Sequence, residues 1–277
     1  MLRDVMSAVP LSVDPLTVPQ LTAIIVISLL GFGLYMIVAH QSPNGSSSTA
    51  QVQIEAPLSG PATPSRQYAI LLDVSESRPE AMISEGRQFI DAVVDKMNYG
   101  DRLVLLEMYE AGVKDVEPDP DMTINEAEDV TSLDEKERLD GSRKGVKGAV
   151  ALFFQNAAKK RVVHTDIFTT LSIASEKLRP QKGNCLILLS DMLQSSKEFE
   201  FEHLLRMPQS GWIDEQNRRG LIRPLYSSSV VVVGADPSTH EGVIVRDFWQ
   251  KYFARSDALL KMANYRTTPP SDASVCE

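Results

Sequence analysis

The 277-residue chain is poor in the residues that many small functional sites require. Its two cysteines, Cys185 and Cys276, are too few for a disulfide-rich scaffold and lack the spacing of a zinc site. The four histidines are scattered, and they offer neither paired helical metal ligands nor a Ser-His catalytic arrangement. The formal net charge of -9 argues against nucleic-acid binding, which needs clustered basic residues. Cysteine chemistry, zinc catalysis and nucleic-acid binding are therefore not expected.

One apolar run, residues 21–39, contains no charged residue. As a helix it would cover about 28 Å, which nearly matches the hydrocarbon core of a bilayer. It is long for the apolar region of a signal peptide, and no convincing small-x-small cleavage site follows it. We therefore expect a flank at 1–20 and a transmembrane helix at 21–39, rather than a cleaved signal or a buried core helix.

The next segment, residues 40–66, contains four Pro, two Gly, six Ser and two Thr. This composition buries too little apolar surface to fold, so it predicts a flexible linker. Arg3 precedes the apolar run, whereas residues 40–65 contain no Lys or Arg. We expect a single-pass protein of a bacterial inner membrane. The charge asymmetry favours a body in the periplasm, and a cytoplasmic body is the alternative.

Residues 67–277 alternate strand-like and helix-like segments. Continuous apolar runs predict buried strands at 68–74, 103–108, 185–191 and 229–234. Apolar residues at three- and four-residue intervals predict helices at 81–97, 165–178 and 243–254. The pattern predicts an α/β fold with an open, mostly parallel central sheet and helices on both faces.

Oxygen-bearing side chains lie where ligands bind in such a sheet, beyond the carboxyl ends of its strands. Asp73, Ser75 and Ser77 end the first strand, Asp191 ends a later one, and Thr165 opens the intervening helix. Hard oxygen donors suit octahedral Mg²⁺, with Mn²⁺ or Ca²⁺ as alternatives. Taken singly, each residue also fits a helix cap or a turn.

The set Asp73-x-Ser75-x-Ser77, Thr165 and Asp191 resembles the metal-ion-dependent adhesion site of von Willebrand factor type A (vWA) domains. The resemblance covers roughly residues 67–254. It implies a non-catalytic domain in which the two serine hydroxyls bind the metal directly, Thr165 binds directly or through water, and both aspartates act mainly through water. It also implies that an acidic side chain of a protein partner completes the metal shell.

Two acidic residues depart from that pattern. Glu76 stands between the serines, where the family often has glycine, and Asp166 follows Thr165. We expect both as possible accessory metal ligands. Their added negative charge favours cation retention but opposes an acidic partner ligand.

Two stretches are predicted insertions, at about 110–145 and 207–226. The first insertion contains eleven acidic residues between positions 115 and 140. The stretch that overlaps its end, residues 142–161, carries six basic residues and no acidic one. This contrast indicates a solvated acidic loop beside a basic helix, or an interaction surface. The second insertion carries Trp212 and three arginines and is a candidate docking site.

The sequence thus predicts a membrane-anchored vWA-like module that mediates Mg²⁺-dependent protein binding or complex assembly, without catalysis. Two alternatives stay open. One is a Mg²⁺-dependent phosphohydrolase with Asp73 as nucleophile and Asp191 as metal ligand, although a second acid two residues after Asp73 is missing. The other is a vWA-like scaffold whose metal site is empty.

Overall fold

The computed structural model describes residues 66–76, 78, 80–109, 121–124 and 132–276. The predicted flank, the predicted transmembrane helix and all but the last residue of the predicted linker lie outside these residues, as does Ser77. Within the described part of the chain, no helix is both long enough and apolar enough to span a membrane.

A six-stranded sheet forms the centre of the described body. Its strands in chain order are β1 (Gln67–Asp73), β2 (Arg102–Met108), β3 (Asp121–Thr123), β4 (Cys185–Leu189), β5 (Ser228–Val233) and β6 (Ala258–Arg266). Their order across the sheet is β3-β2-β1-β4-β5-β6. Only the short edge strand β3 is antiparallel to its neighbour. The predicted α/β class with an open, mostly parallel sheet is confirmed.

Five α-helices are described around the sheet. They are α1 (Glu80–Val94), α2 (Ser132–Lys159), α3 (Ile167–Lys177), α4 (Trp212–Arg218) and α5 (His240–Arg255). The predicted helices correspond to α1, α3 and α5. Helix α2 begins within the stretch expected to be an insertion, and strands β3 and β6 were not predicted.

Helices cover both faces of the sheet, which explains the uninterrupted apolar runs of its central strands. Strands β1, β2 and β4 are buried along their whole length. Because successive strand residues face opposite sides, Ile70 packs in the core with α1 and α2, while Leu71 packs in the core with α3 and α5. Phe154 on α2 and Trp249 on α5 are among the largest fully buried side chains of these cores.

The C-terminal segment returns to the amino end of the sheet. Cys276 lies in a short 3₁₀ helix, Ala273–Cys276, and forms a disulfide with Cys185, the first residue of β4. Their Cα atoms are 5.5 Å apart, and they are separated by 91 positions in the sequence. Both cysteines are buried in the core on the α1 side. Their spacing in the sequence had given no sign of this pair.

Candidate metal centre

Asp73, the last residue of β1, is the centre of a hydrogen-bonded cluster at the carboxyl edge of the sheet. It is fully buried. Its Oδ1 accepts hydrogen bonds from the Ser75 backbone N–H at 2.8 Å and from Thr165 Oγ1 at 3.3 Å. Its Oδ2 accepts from Ser190 Oγ at 3.0 Å. The cluster therefore joins the ends of β1 and β4 to the start of α3.

Asp191 follows directly after Ser190, in the loop that leaves β4. Its Oδ1 accepts a hydrogen bond from the Leu193 backbone N–H at 2.8 Å. Burial, and secondly the negative charge of Asp73, raise the pKa of Asp191 from 3.8 to about 7. The charge of Asp73 thus disfavours the ionised form of Asp191, and a divalent cation at this edge would relieve that effect.

Thr165 is held in place by the same loop after β4. Its carbonyl accepts from the Ser195 backbone N–H at 2.9 Å. Two residues later, the Ile167 backbone N–H donates to Gln194 Oε1 at 2.7 Å. Thr165 is 3% exposed, so its hydroxyl is oriented by packing as well as by Asp73. The position of this hydroxyl therefore depends on residues that the motif does not include.

The loop after β1 carries the other predicted ligands. Ser75 is buried and forms an isolated parallel bridge with Val162. The Glu76 backbone N–H donates to the Val162 carbonyl at 2.9 Å, and the Glu76 side chain is exposed. The structure thus brings Asp73, Ser75 and Thr165 together, with Asp191 beside them, and Ser77 lies outside the described residues.

Asp166, the second expected accessory ligand, has a different role in the structure. It is the N-cap of α3: its carboxylate accepts from the Thr169 backbone N–H at 3.1 Å and from Thr169 Oγ1 at 2.6 Å. A third donor is Gln194 Nε2, at 3.2 Å. These bonds hold the Asp166 carboxylate between the first turn of α3 and the loop after β4.

Three further residues shape the site and were missed by the sequence analysis. Ser190 bonds Asp73 and also accepts from the Met192 backbone N–H at 2.9 Å. Arg78 is buried, and its Nη1 donates to the Asp73 carbonyl at 3.3 Å and to the Ala157 carbonyl at 3.1 Å, which fastens this loop to the end of α2. Gln194 links the loop after β4 to α3. Of these three, only Ser190 could have been found from the sequence, because it stands beside Asp191 at the end of a predicted strand.

The donor set suits Mg²⁺. Mg²⁺ prefers hard oxygen donors, and Asp73 Oδ1 and Thr165 Oγ1 are two such oxygens, 3.3 Å apart and joined by a hydrogen bond. The described residues include no metal-binding group of three or more His, Cys, Asp or Glu. The predicted site differs from such a group because it combines two carboxylates with hydroxyls.

The geometry does not favour Asp73 as a nucleophile. A carboxylate that attacks phosphorus needs a free oxygen facing the substrate. Asp73 is 0% exposed, and both of its oxygens accept hydrogen bonds. The hydrogen bonds of Asp73 therefore count against the phosphohydrolase alternative, in which Asp73 is the nucleophile.

Comparisons with known proteins give little further information. No family model matches the chain, and no curated protein matches it. Among solved structures, the human COPII-coat protein Sec24c is similar at 11% sequence identity, with a TM-score of 0.40. The match covers 74% of this chain and 29% of that one. At this level of similarity, the match carries no information about function.

Proposed function

We propose that the described body is a vWA-like domain that binds a partner protein through Mg²⁺ held by Asp73, Ser75, Ser77, Thr165 and Asp191. The main support is geometric: Thr165 and Ser190, from two other parts of the chain, bond the Asp73 carboxylate at one edge of the sheet, and Asp191 directly follows Ser190.

The cation would determine which partners this edge can bind. Burial, and secondly the charge of Asp73, raise the pKa of Asp191, and the exposed Glu76 side chain lies in the same loop as Asp73. Without metal, an acidic partner side chain would meet the acidic side chains of Asp73, Asp191 and Glu76 with no cation between them. With Mg²⁺ in place, the same side chain can complete the metal shell. Binding is therefore expected to require the metal.

We also propose that residues 21–39 anchor the protein in a bacterial inner membrane with the body in the periplasm. The Cys185–Cys276 disulfide supports this side, because structural disulfides persist in oxidising compartments and are rare in the cytosol. Protease treatment of intact spheroplasts tests the proposal. Digestion of the body is the expected result, and protection until the membrane is opened would place it in the cytoplasm.

Mg²⁺ binding is tested by thermal unfolding of the full-length chain in detergent. At a hundredfold excess over its dissociation constant, Mg²⁺ should stabilise the body by about 2.7 kcal/mol, and chelator should remove this gain. The double variant Ser75→Ala, Ser77→Ala should lose the response. Ser84→Ala, which removes an exposed hydroxyl from α1, is the matched control.

Partner binding is tested by capture from membrane extracts, with and without chelator. The wild type and Ser84→Ala should retain a defined partner only when Mg²⁺ is present, and the double serine variant should lose it. The adhesion-site proposal would be contradicted if the melting temperature did not respond to Mg²⁺ and the double serine variant captured the partner as well as the wild type does.

A further inference from the structure

A second candidate site lies beside the start of α3, on the face of the sheet that α5 covers. It is a cavity of about 430 Å³, within the range of ligand-binding pockets. Aromatic side chains and carboxylates line much of it: Phe168, Phe199, Trp212, Tyr252, Asp166 and Glu198. We call it the aromatic cavity.

The rings of the aromatic cavity form a connected wall. Phe168 contacts both Trp212 and Tyr252, with ring centroids 5.3 and 5.4 Å apart. Phe199 contacts Trp212 at 5.1 Å. Aromatic faces carry negative electrostatic potential and attract cations that lie within about 6 Å of the ring centre. The wall therefore offers a surface for an organic cation as well as for an apolar group.

The charge at the cavity favours the cation. Asp166 accepts hydrogen bonds from Thr169 and Gln194, which are neutral donors. Among the described residues, no basic side chain forms an ion pair with this carboxylate. Burial, and secondly the negative charge of Asp166, raise the pKa of the Tyr252 hydroxyl, and both residues line the cavity. Glu198 adds a second carboxylate, and Lys197 carries the single opposing charge among the lining residues.

The cavity also continues along the surface. Glu198, Phe199 and Trp212 line a neighbouring cavity of about 660 Å³ as well, which extends over the loop at residues 206–211. Two cavities that share a wall form a groove, and a groove suits a peptide chain better than an isolated small cation. This is the stretch that the sequence analysis identified as a candidate docking insertion.

We propose that the aromatic cavity binds the side chain of a lysine or arginine presented by a partner protein. The aliphatic part of that side chain packs on Phe168 and Trp212, and its charged end lies near Asp166. The proposal does not depend on the metal centre, because Asp166 caps α3 in the structure and none of the residues named for the cavity is one of the five predicted metal ligands.

The test uses short capped peptides and the full-length chain in neutral detergent. Peptides carrying one central lysine or arginine are titrated while tryptophan fluorescence is recorded, because Trp212 lies in the cavity wall. Their neutral counterparts carry norleucine or citrulline. The basic peptides should bind saturably and about tenfold more tightly than the neutral ones, as cation–π contacts and a carboxylate together imply. Chelator should leave this binding unchanged.

Variants locate the binding. Asp166→Asn should weaken it about tenfold and can preserve the helix cap, since asparagine is an equally good N-cap. Lys197→Gln should strengthen it, because the opposing charge is removed. Asp247→Asn removes an exposed charge from α5 outside the aromatic cavity and should have no effect. Thermal unfolding of each variant shows whether the fold is retained.

Several outcomes would overturn the proposal. Equal binding of the norleucine peptide would make the cavity an apolar groove. Saturable binding of phosphocholine without binding of the basic peptides would assign it to a lipid headgroup. Undiminished peptide binding by both Asp166→Asn and the exposed-site variant Glu198→Gln would show that the peptides bind elsewhere. Absence of any saturable binding would reject the site.

Discussion

Replacing Asp191 by asparagine should stabilise the metal-free protein, although it removes a predicted metal ligand. The pKa of Asp191 is raised from 3.8 to about 7, chiefly by burial and then by the charge of Asp73. This difference corresponds to about 4 kcal/mol of stability lost when the group is ionised in the folded state. Asparagine keeps an acceptor for the Leu193 backbone N–H and carries no charge. A gain of about 2–4 kcal/mol is therefore expected at pH 8 in chelator.

The pH dependence has a definite sign. Since the folded pKa of Asp191 lies above the unfolded value, the folded state holds this proton over the range from about pH 4 to about pH 7. The contribution of Asp191 to stability is present below that range and is lost as the pH rises through it. Metal-free wild type should therefore lose stability across this window, and Asp191→Asn should lose less.

Thermal unfolding in chelator at pH 5 and pH 8 measures both effects. At pH 8 the melting temperature of Asp191→Asn should exceed that of wild type by about 5–15 °C, and Mg²⁺ should narrow the gap by stabilising only the wild type. Asp236→Asn is the matched control. Hydrogen bonds from Ser238 lower the pKa of Asp236, so its replacement should not stabilise the protein. An Asp191→Asn variant no more stable than wild type at pH 8 in chelator would refute the reasoning.

Three further predictions concern a glycine at the sheet edge, the disulfide and the apolar run near the N-terminus. Gly234→Ala should cost about 1–3 kcal/mol in a thermal melt, because Gly234 has a φ of 108° and an added Cβ would lie 3.0 Å from the Ser190 carbonyl oxygen; an unchanged melting temperature would contradict this. Cys276→Ser should cost up to about 4.6 kcal/mol by chain entropy, since the Cys185–Cys276 link spans 91 positions, and reductant should then have no further effect on its denaturant midpoint. Deleting residues 1–40 should yield a folded, soluble body by size-exclusion chromatography, whereas an aggregated, misfolded product would place the apolar run in the core.

Much of the α/β fold could be predicted from local sequence. Helices cover both faces of the sheet, so nearly every residue of its central strands is apolar. The continuous apolar runs at 68–74 and 185–191 could therefore be predicted as strands. Strand β6 escaped prediction because it is an edge strand: its burial alternates irregularly, and its pairing with β5 is interrupted between Val230 and Val232. Helix α2 was partly hidden within a highly charged stretch that resembled a loop.

The sequence by itself determined which residue types end the central strands, and parallel topology then made the approach of Asp73, Thr165 and Asp191 predictable. Only the tertiary structure decided the rest. Sequence spacing does not encode pairings across 91 positions, as in the disulfide, or across 117, as in Ser190 to Asp73. The cap role of Asp166 and the aromatic cavity were likewise hidden, because each depends on how separate elements pack at close range, and local patterns do not record that packing.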